Sequence, residues 1–276
     1  MKPFTPDPIS HRLPITYRLS LLAAASLVVA LLTAFLSIAG LLFQEAVYPS
    51  EELRRSFVAN DVVNLFIGLP ILLVSMALAR RGKLIGLLFW PGALFFVVYN
   101  AIAYVFALPL GWAIALNLAL LALAVYTLIG LMASIDAASV QGRLAGAAPD
   151  RLAGGVLIGL GVLFLLREVG VLAGAISGDT PLSRTELAVL VADTMIIPAW
   201  IIGGALLWRR QALGYVAGAG LLFQASMLFV GLIIFLLLQP VLTDTPFAAA
   251  DVAVVFVMGL VCFVPFGLFT RGLVRS

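Results

Sequence analysis

The sequence predicts an all-α, polytopic integral membrane protein with eight transmembrane helices. Hydrophobic residues make up 63% of the chain and charged residues 11%, whereas a soluble domain is about half apolar and a quarter charged. The apolar residues form blocks of about 20 or more, the length that crosses about 30 Å of hydrocarbon. Alternating segments of about 10 residues, which are typical of a transmembrane β-barrel, do not occur. A helical bundle in the lipid bilayer is therefore the predicted fold class.

Eight apolar runs define the expected spans in chain order. The first run is too long for the apolar region of a signal peptide, so we expect it to remain as a helix. The runs cover residues 19–43, 58–79, 84–108, 112–134, 152–176, 184–208, 212–238 and 248–270. A tail at 1–17 precedes them and contains four prolines, which favour an extended conformation.

Basic residues in the connections predict the orientation of the chain. Lysine and arginine concentrate in the loops that stay in the cytoplasm. With the N-terminus inside, the inner side holds Lys2, Arg12, Arg18, Arg80, Arg81, Lys83, Arg143, Arg151, Arg209, Arg210, Arg271 and Arg275. The outer side holds only Arg54, Arg55 and Arg184. We therefore expect a multi-pass protein of the cell membrane with both termini in the cytoplasm.

The two halves of the chain resemble each other weakly. Asp61 matches Asp193 at an offset of 132, and Gly92 matches Gly220 at an offset of 128. Further matches in the same order are Pro49 with Pro181, Arg81 with Arg209, Gly86 with Gly214, Pro109 with Pro246 and Gly130 with Gly267. We interpret them as two parallel four-helix repeats, at 18–134 and 152–271, joined by a cytoplasmic linker at 135–151. The alternative is chance similarity between helices rich in leucine, glycine and alanine.

The composition argues against most catalytic and cofactor sites. The single histidine, His11, lies in the tail, and the single cysteine, Cys262, lies in the last span. No metal-ligand spacing, serine–histidine pair or phosphate-binding loop is found. We therefore expect no metal, no cofactor, no catalytic residues and no enzymatic activity. The net charge of +3 does not indicate nucleic acid, because the basic residues lie in short loops that set orientation.

Polar residues within the spans are few, and most lie toward the outer side. Polar groups at membrane depth commonly mark ligand or ion sites. The candidates for ligand binding or proton coupling are Asp61, Asn64, Asn100, Asn117, Arg167, Glu168, Asp193 and Gln224. Together they predict a polar pocket that opens outward. The alternative is that outer helix ends tolerate polar groups, with Asp61 at the headgroups or capping its helix.

Arg167 and Glu168 are adjacent charges inside the fifth span, where each charge costs about 2.5–3.5 kcal/mol on insertion scales. One helical face is expected to contain Gly155, Gly159, Leu163, Arg167, Gly170 and Gly174. Its small-xxx-small pairs allow close helix packing, so we expect Arg167 to point into the bundle and Glu168 to face a different neighbour. Asp193 is the expected partner of Arg167, either at a ligand site or in a structural ion pair.

Two functions are compatible with these features. A transporter would bind a small anionic or zwitterionic solute at Arg167, or would couple to protons through Glu168 and Asp193. The paired halves favour it, as do Pro70 and Pro198, which interrupt the second and sixth spans. The alternative is a non-transporting membrane protein that binds a lipid or a partner subunit through the outward pocket. The apolar inner half favours this second function.

Overall fold

The computed structural model describes residues 13–15, 19–178 and 182–275, and this part of the chain is helical apart from one β-bridge between Ile15 and Ile135. The helices are α1 (Ser20–Leu42), α2 (Gln44–Val47), α3 (Glu51–Val63), α4 (Leu69–Arg80), α5 (Leu84–Ala107), α6 (Trp112–Ser134), α7 (Ala137–Leu144), α8 (Asp150–Ser177), α9 (Arg184–Trp208), α10 (Ala212–Leu242) and α11 (Ala249–Arg275). A π-helical turn, Asn64–Gly68, joins α3 to α4 in one continuous rod.

Within the described residues, eight helical segments are long and apolar enough to cross a membrane, as predicted. They are α1, the rod of α3 and α4, α5, α6, α8, α9, α10 and α11. The predicted tail lies mostly outside the described residues, as do Pro181 of the repeat and the basic residues Lys2, Arg12 and Arg18.

The second span begins at Glu51, seven residues before the predicted start. The side chain of Ser50 accepts a hydrogen bond from the N–H of Leu53 and caps the helix. Glu51 and Glu52 follow in the first turn, where their negative charges interact favourably with the positive end of the helix dipole. Asp61 therefore does not cap this helix, since it lies in the third turn and is 1% exposed.

Each half of the chain forms a ring of four packed spans. In the first half, α1 packs against α3, α4 and α6, while α5 packs against α4 and α6. In the second half, α8 packs against α9 and α11, while α10 packs against α9 and α11. The halves meet where α5 packs against α9 and α10, and where α3 packs against α10. α5 is the most buried span and forms the centre of the bundle.

The turns that follow the second and sixth spans share three hydrogen bonds. In each turn, three successive N–H groups donate to carbonyl groups in the last turn of the preceding helix. Each donor and each acceptor of the second turn lies 128 residues after its counterpart in the first turn. The bonds are Arg81 to Ala77, Gly82 to Ala79 and Lys83 to Leu78 in the first turn, and Arg209 to Ala205, Arg210 to Leu207 and Gln211 to Leu206 in the second. Gly82 and Arg210 both have a positive φ, of 79° and 58°.

Two matched glycines meet where α5 crosses α10. A Cβ on Gly92 would overlap the carbonyl oxygen of Gly220, so the two backbones are in direct contact. In a second matched pair, Gly86 packs against Leu78 and Gly214 packs against Leu206, in each case at the end of the preceding span. The close approach between the halves therefore depends on residues without side chains.

Candidate functional site

Asp61 is buried at the centre of a hydrogen-bond network in the first four-helix ring. Its Oδ2 accepts from the hydroxyl of Tyr48 at 2.6 Å, and its Oδ1 accepts from the hydroxyl of Tyr104 at 2.8 Å. Tyr48 lies in the connection before α3, and Tyr104 lies in the last turn of α5. Burial raises the pKa of Tyr48 well above its ordinary value, so this hydroxyl keeps its proton and remains a donor.

Amide side chains extend the network toward the middle of the ring. Asn60 donates to the Oδ1 of Asn100 at 3.1 Å and to the hydroxyl of Tyr104 at 3.2 Å. Asn64 donates to the same hydroxyl at 3.4 Å. Asn117 donates from its Nδ2 to the carbonyl of Ala113, four residues earlier in α6. All these side chains are uncharged, so none of them balances a negative charge on Asp61.

The π-helical turn lies directly beside the network. The N–H of Leu69 bonds to the carbonyl of Asn64, five residues earlier, which widens the helix at this point. Pro70 lies two residues after this turn, and because proline has no N–H it cannot continue the hydrogen bonding of the rod. Such turns occur frequently at functional sites. Pro198, the matched proline, lies inside the continuous helix α9, so the expected similarity of the two interruptions is only partial.

A small cavity of about 20 Å³ opens against the network. It is lined by Thr33, Leu36, Ser37, Asp61, Asn64, Gly68, Phe96, Val97, Asn100, Ala101, Tyr104, Asn117 and Leu120. These residues come from all four spans of the first half. The volume accommodates about one water-sized occupant.

Aromatic rings pack around the hydrogen bonds of Asp61. Phe57, one turn before Asp61, packs against Tyr104 with ring centroids 4.5 Å apart and stacks on Tyr48 at 5.9 Å. Gly40 of α1 lies against the hydrogen bond between Tyr48 and Asp61. A Cβ atom on Gly40 would overlap both of these side chains.

Arg167, Glu168 and Asp193 form a second cluster, between α8 and α9. The Nη1 of Arg167 lies 2.6 Å from Oε1 of Glu168 and 3.1 Å from Oδ2 of Asp193, so the expected pairing with Asp193 is present. Tyr99 of α5 donates to Oδ1 of Asp193 at 3.0 Å. The cluster therefore links three helices from both halves. Among the described residues, the buried Oε2 of Glu168 has no hydrogen-bond partner.

The face of α8 that points into the bundle differs from the predicted one. The side chain of Arg167 is 55% exposed, while that of Glu168 is 4% exposed. The buried residues of α8 are Asp150, Ala153, Gly154, Leu157, Leu160, Gly161 and Glu168. Gly154 makes the close contact with Gly204 of α9, whereas a Cβ on Gly159 or Gly170 would meet open space. The helix is thus rotated by about one residue, or 100°, from the expected orientation.

In the described part of the second ring, Asp193, the residue matched to Asp61, belongs to the Arg167 cluster and not to a network of uncharged donors. Gln224, the remaining candidate, accepts from the indole N–H of Trp200 at 2.8 Å. Its Nε2 is buried without a hydrogen-bond partner among the described residues. Gln224 is thus separate from both clusters.

Sequence reasoning overlooked Tyr48 and Tyr99, the hydroxyl partners of the two aspartates. Tyr48 falls between spans, where a tyrosine normally suggests an interfacial position. Thr33 and Ser37 of α1 were also missed, although their four-residue spacing put them on one helical face.

No protein-family model, curated protein or solved structure matches this chain.

Proposed function

We propose that the chain is a non-enzymatic membrane carrier that couples to a proton or a small cation at Asp61. The observation that carries this proposal is a buried carboxylate whose hydrogen-bond partners are all uncharged, beside a π-helical turn and a cavity of about 20 Å³. An ionisable side chain is expensive within a membrane and is usually retained for a function. Taking up a positive charge would neutralise Asp61.

The same proposal includes the duplication of a four-helix unit. It is supported by the equivalent rings of spans, the identical hydrogen bonds of the matched turns and the contact between Gly92 and Gly220. An axis along the membrane normal near these glycines would relate two parallel repeats. We further propose that the protein resides in the cell membrane with both termini in the cytoplasm, on the basis of its basic loops.

The cavity is more consistent with an ion than with the larger solute considered from the sequence. About one water fits beside Asp61. Arg167, the expected anion-binding residue, already binds two carboxylates of the chain itself. We therefore do not retain an anionic or zwitterionic solute at Arg167. We propose that Asp61 couples to the ion, in place of Glu168 and Asp193, for which the sequence predicted this role.

The proposal is tested by ion flux in proteoliposomes. The full-length protein is reconstituted into vesicles containing a pH-sensitive or sodium-sensitive dye, and a proton or sodium gradient is imposed. We expect protein-dependent flux that Asp61→Asn abolishes and that Asp251→Asn, at an exposed position in the first turn of α11, leaves unchanged. Absence of flux with the wild-type protein, or equal flux with Asp61→Asn, would contradict a carrier coupled at this residue.

A second function, association with a partner subunit, is favoured by the exposure of Arg167. This side chain lies about 15 Å along α8 from its end at Ser177 and faces outward from the bundle. The neighbouring Gly159 and Gly170 leave open space on the same surface, which would allow a helix of a second copy of the chain to approach closely. Cysteine cross-linking at Gly170 in membranes should then give dimers, whereas cysteine at the exposed Val254 of α11 should not.

A further inference from the structure

We propose that α3 (Glu51–Val63) is an outer gate, which hydrogen bonds to the second half of the chain hold in its closed position. The inference rests on the proposed function, since a carrier must expose Asp61 to the outer solution. It depends on three features, namely the contacts of α3 with the second half, the position of Asp61 on α3 and the π-helical turn that follows α3.

Two residues of α3 bond to the second half of the chain near its proposed outer side. The Oε1 of Glu52 accepts from the N–H of Thr185 at 3.0 Å and also from the hydroxyl of the same residue. Thr185 is the second residue of α9, so Glu52 satisfies an N–H group at the start of that helix. The carbonyl of Arg55 accepts from Nε2 of Gln239, close to the end of α10, at 3.0 Å. Both contacts therefore join helix ends from different halves.

These contacts can break while the halves remain packed together. Glu52 is exposed, so water can replace its hydrogen bonds when α3 moves. The two halves also touch through the backbones of Gly92 and Gly220. Each of these glycines is the ninth residue of a helix that begins on the proposed inner side. A separation at the outer ends therefore leaves the inner contact in place.

The helix α3 connects these contacts to Asp61. Glu52 and Asp61 are nine residues apart, which places them about 180° apart around the helix. One face of α3 thus bonds to the second half, while the opposite face presents Asp61 to Tyr104 of α5. A movement of α3 away from the bundle would break the hydrogen bond to Tyr104 and expose the carboxylate.

The π-helical turn supplies a hinge for this movement. It directly follows α3, at Asn64–Gly68, and Pro70 beyond it has no N–H for a helical hydrogen bond. Sharp bends of helices occur at such turns and at proline. The next segment, α4, packs against α5, the most buried span. The outer part of the rod can therefore swing while α4 stays in place.

The gate is tested by labelling buried cysteines from the outer side of sealed membrane vesicles. The full-length chain, with its single cysteine removed by Cys262→Ser, carries one reporter at a time. Ser37→Cys lies in the lining of the Asp61 cavity, and Ser75→Cys lies on α4 beyond the hinge; both serines are buried. With a membrane-impermeant maleimide, Glu52→Ala should raise the labelling rate of Ser37→Cys by about fivefold or more, for the loss of one hydrogen bond or two. Ser75→Cys should stay protected.

Two further variants complete the comparison. Glu51→Ala is the matched control, because Glu51 belongs to the same turn as Glu52 but pairs with Arg55 of its own helix. It should leave the labelling rate of Ser37→Cys unchanged. Gln239→Leu removes the donor to the carbonyl of Arg55, so it should act in the same direction as Glu52→Ala.

The outcomes separate the gate from the proposed function. Equal labelling of Ser37→Cys in Glu51→Ala and Glu52→Ala, including no labelling in either, would overturn the gate. So would labelling of Ser75→Cys that rises together with that of Ser37→Cys, because Glu52 would then stabilise the whole fold. If ion flux still depends on Asp61 in such a case, the carrier proposal stands without the gate. Opening that is specific to Glu52→Ala, without flux in the wild type, would support the gate and contradict transport.

Discussion

At the scale of single residues, the two matched aspartates have opposite surroundings. Asp193 contacts the guanidinium of Arg167 and the hydroxyl of Tyr99. Asp61 contacts only uncharged donors, chiefly Tyr48 and Tyr104. A carboxylate paired with arginine is compensated within the protein, whereas an unpaired one requires a cation from outside. We therefore propose a structural role for Asp193 and a binding role for Asp61.

The Arg167 cluster contains one base and two acids, which predicts unequal losses of stability. Arg167→Leu leaves Glu168 and Asp193 without a base and should lower the free energy of unfolding by about 3–5 kcal/mol. Asp193→Asn leaves the pair of Arg167 and Glu168 intact and should cost about 1–2 kcal/mol, because mainly one charged hydrogen bond is weakened. Denaturation in detergent measures both changes. Leu163→Ala, on the exposed side of α8, is the control. A larger loss for Asp193→Asn would contradict this arrangement.

The pairing of Arg167 with Asp193 could be predicted from the sequence because a short loop joins their helices and both lie at similar depth. The orientation of α8 could not. Both of its faces contain small-xxx-small patterns, and an error of one residue rotates a helix by 100°. The hydrogen-bond partners of Asp61 could not be predicted from the sequence either, because the packing of the helices brings Tyr48 and Tyr104 to it.

At the scale of helices, glycine determines how closely spans approach each other. Gly92→Ala places a methyl group against the carbonyl oxygen of Gly220, which belongs to the backbone and cannot rotate away. Overpacking of this kind costs about 1–3 kcal/mol. Gly220→Ala should cost less, because its nearest contacts lie at 3.3 Å. Gly159→Ala, which meets open space, should cause no loss. Equal Tm values for all three variants would contradict direct backbone contact between α5 and α10.

Span number and span position were largely predictable from apolar runs, and the bounds of α6 and α9 agree with the prediction. The π-helical turn was not predictable. It adds one residue to a helical turn without changing the apolar pattern, and Pro70 indicated only that the hydrogen bonding would change nearby. The short helix α7 within the predicted linker depends on Asp136, whose side chain accepts from the N–H groups of Ala138 and Ser139.

At the scale of the whole molecule, two similar rings pack side by side, and the Asp61 network lies in the first of them. If each ring is a folding unit, the chain should tolerate a break in the exposed segment between α7 and α8. Co-expressed fragments 1–145 and 146–276 should then co-purify from membranes through a tag on one of them. A second fragment carrying Gly220→Leu should fail to co-purify, because the contact with Gly92 is lost. Degradation of both unmodified fragments would contradict the two-unit account.

The central claim is that Asp61 is retained for binding rather than for stability. The most direct measurement is the unfolding of Asp61→Asn and wild type in buffer without sodium at neutral pH. The account predicts that Asp61→Asn stays within about 1 kcal/mol of wild type, because removing an uncompensated buried charge offsets the cost, about 1–3 kcal/mol, of a tyrosine hydroxyl that then faces an amide nitrogen. A loss of about 3 kcal/mol or more, comparable with that of Arg167→Leu, would contradict it. Asp61 would then be a structural member of the polar network.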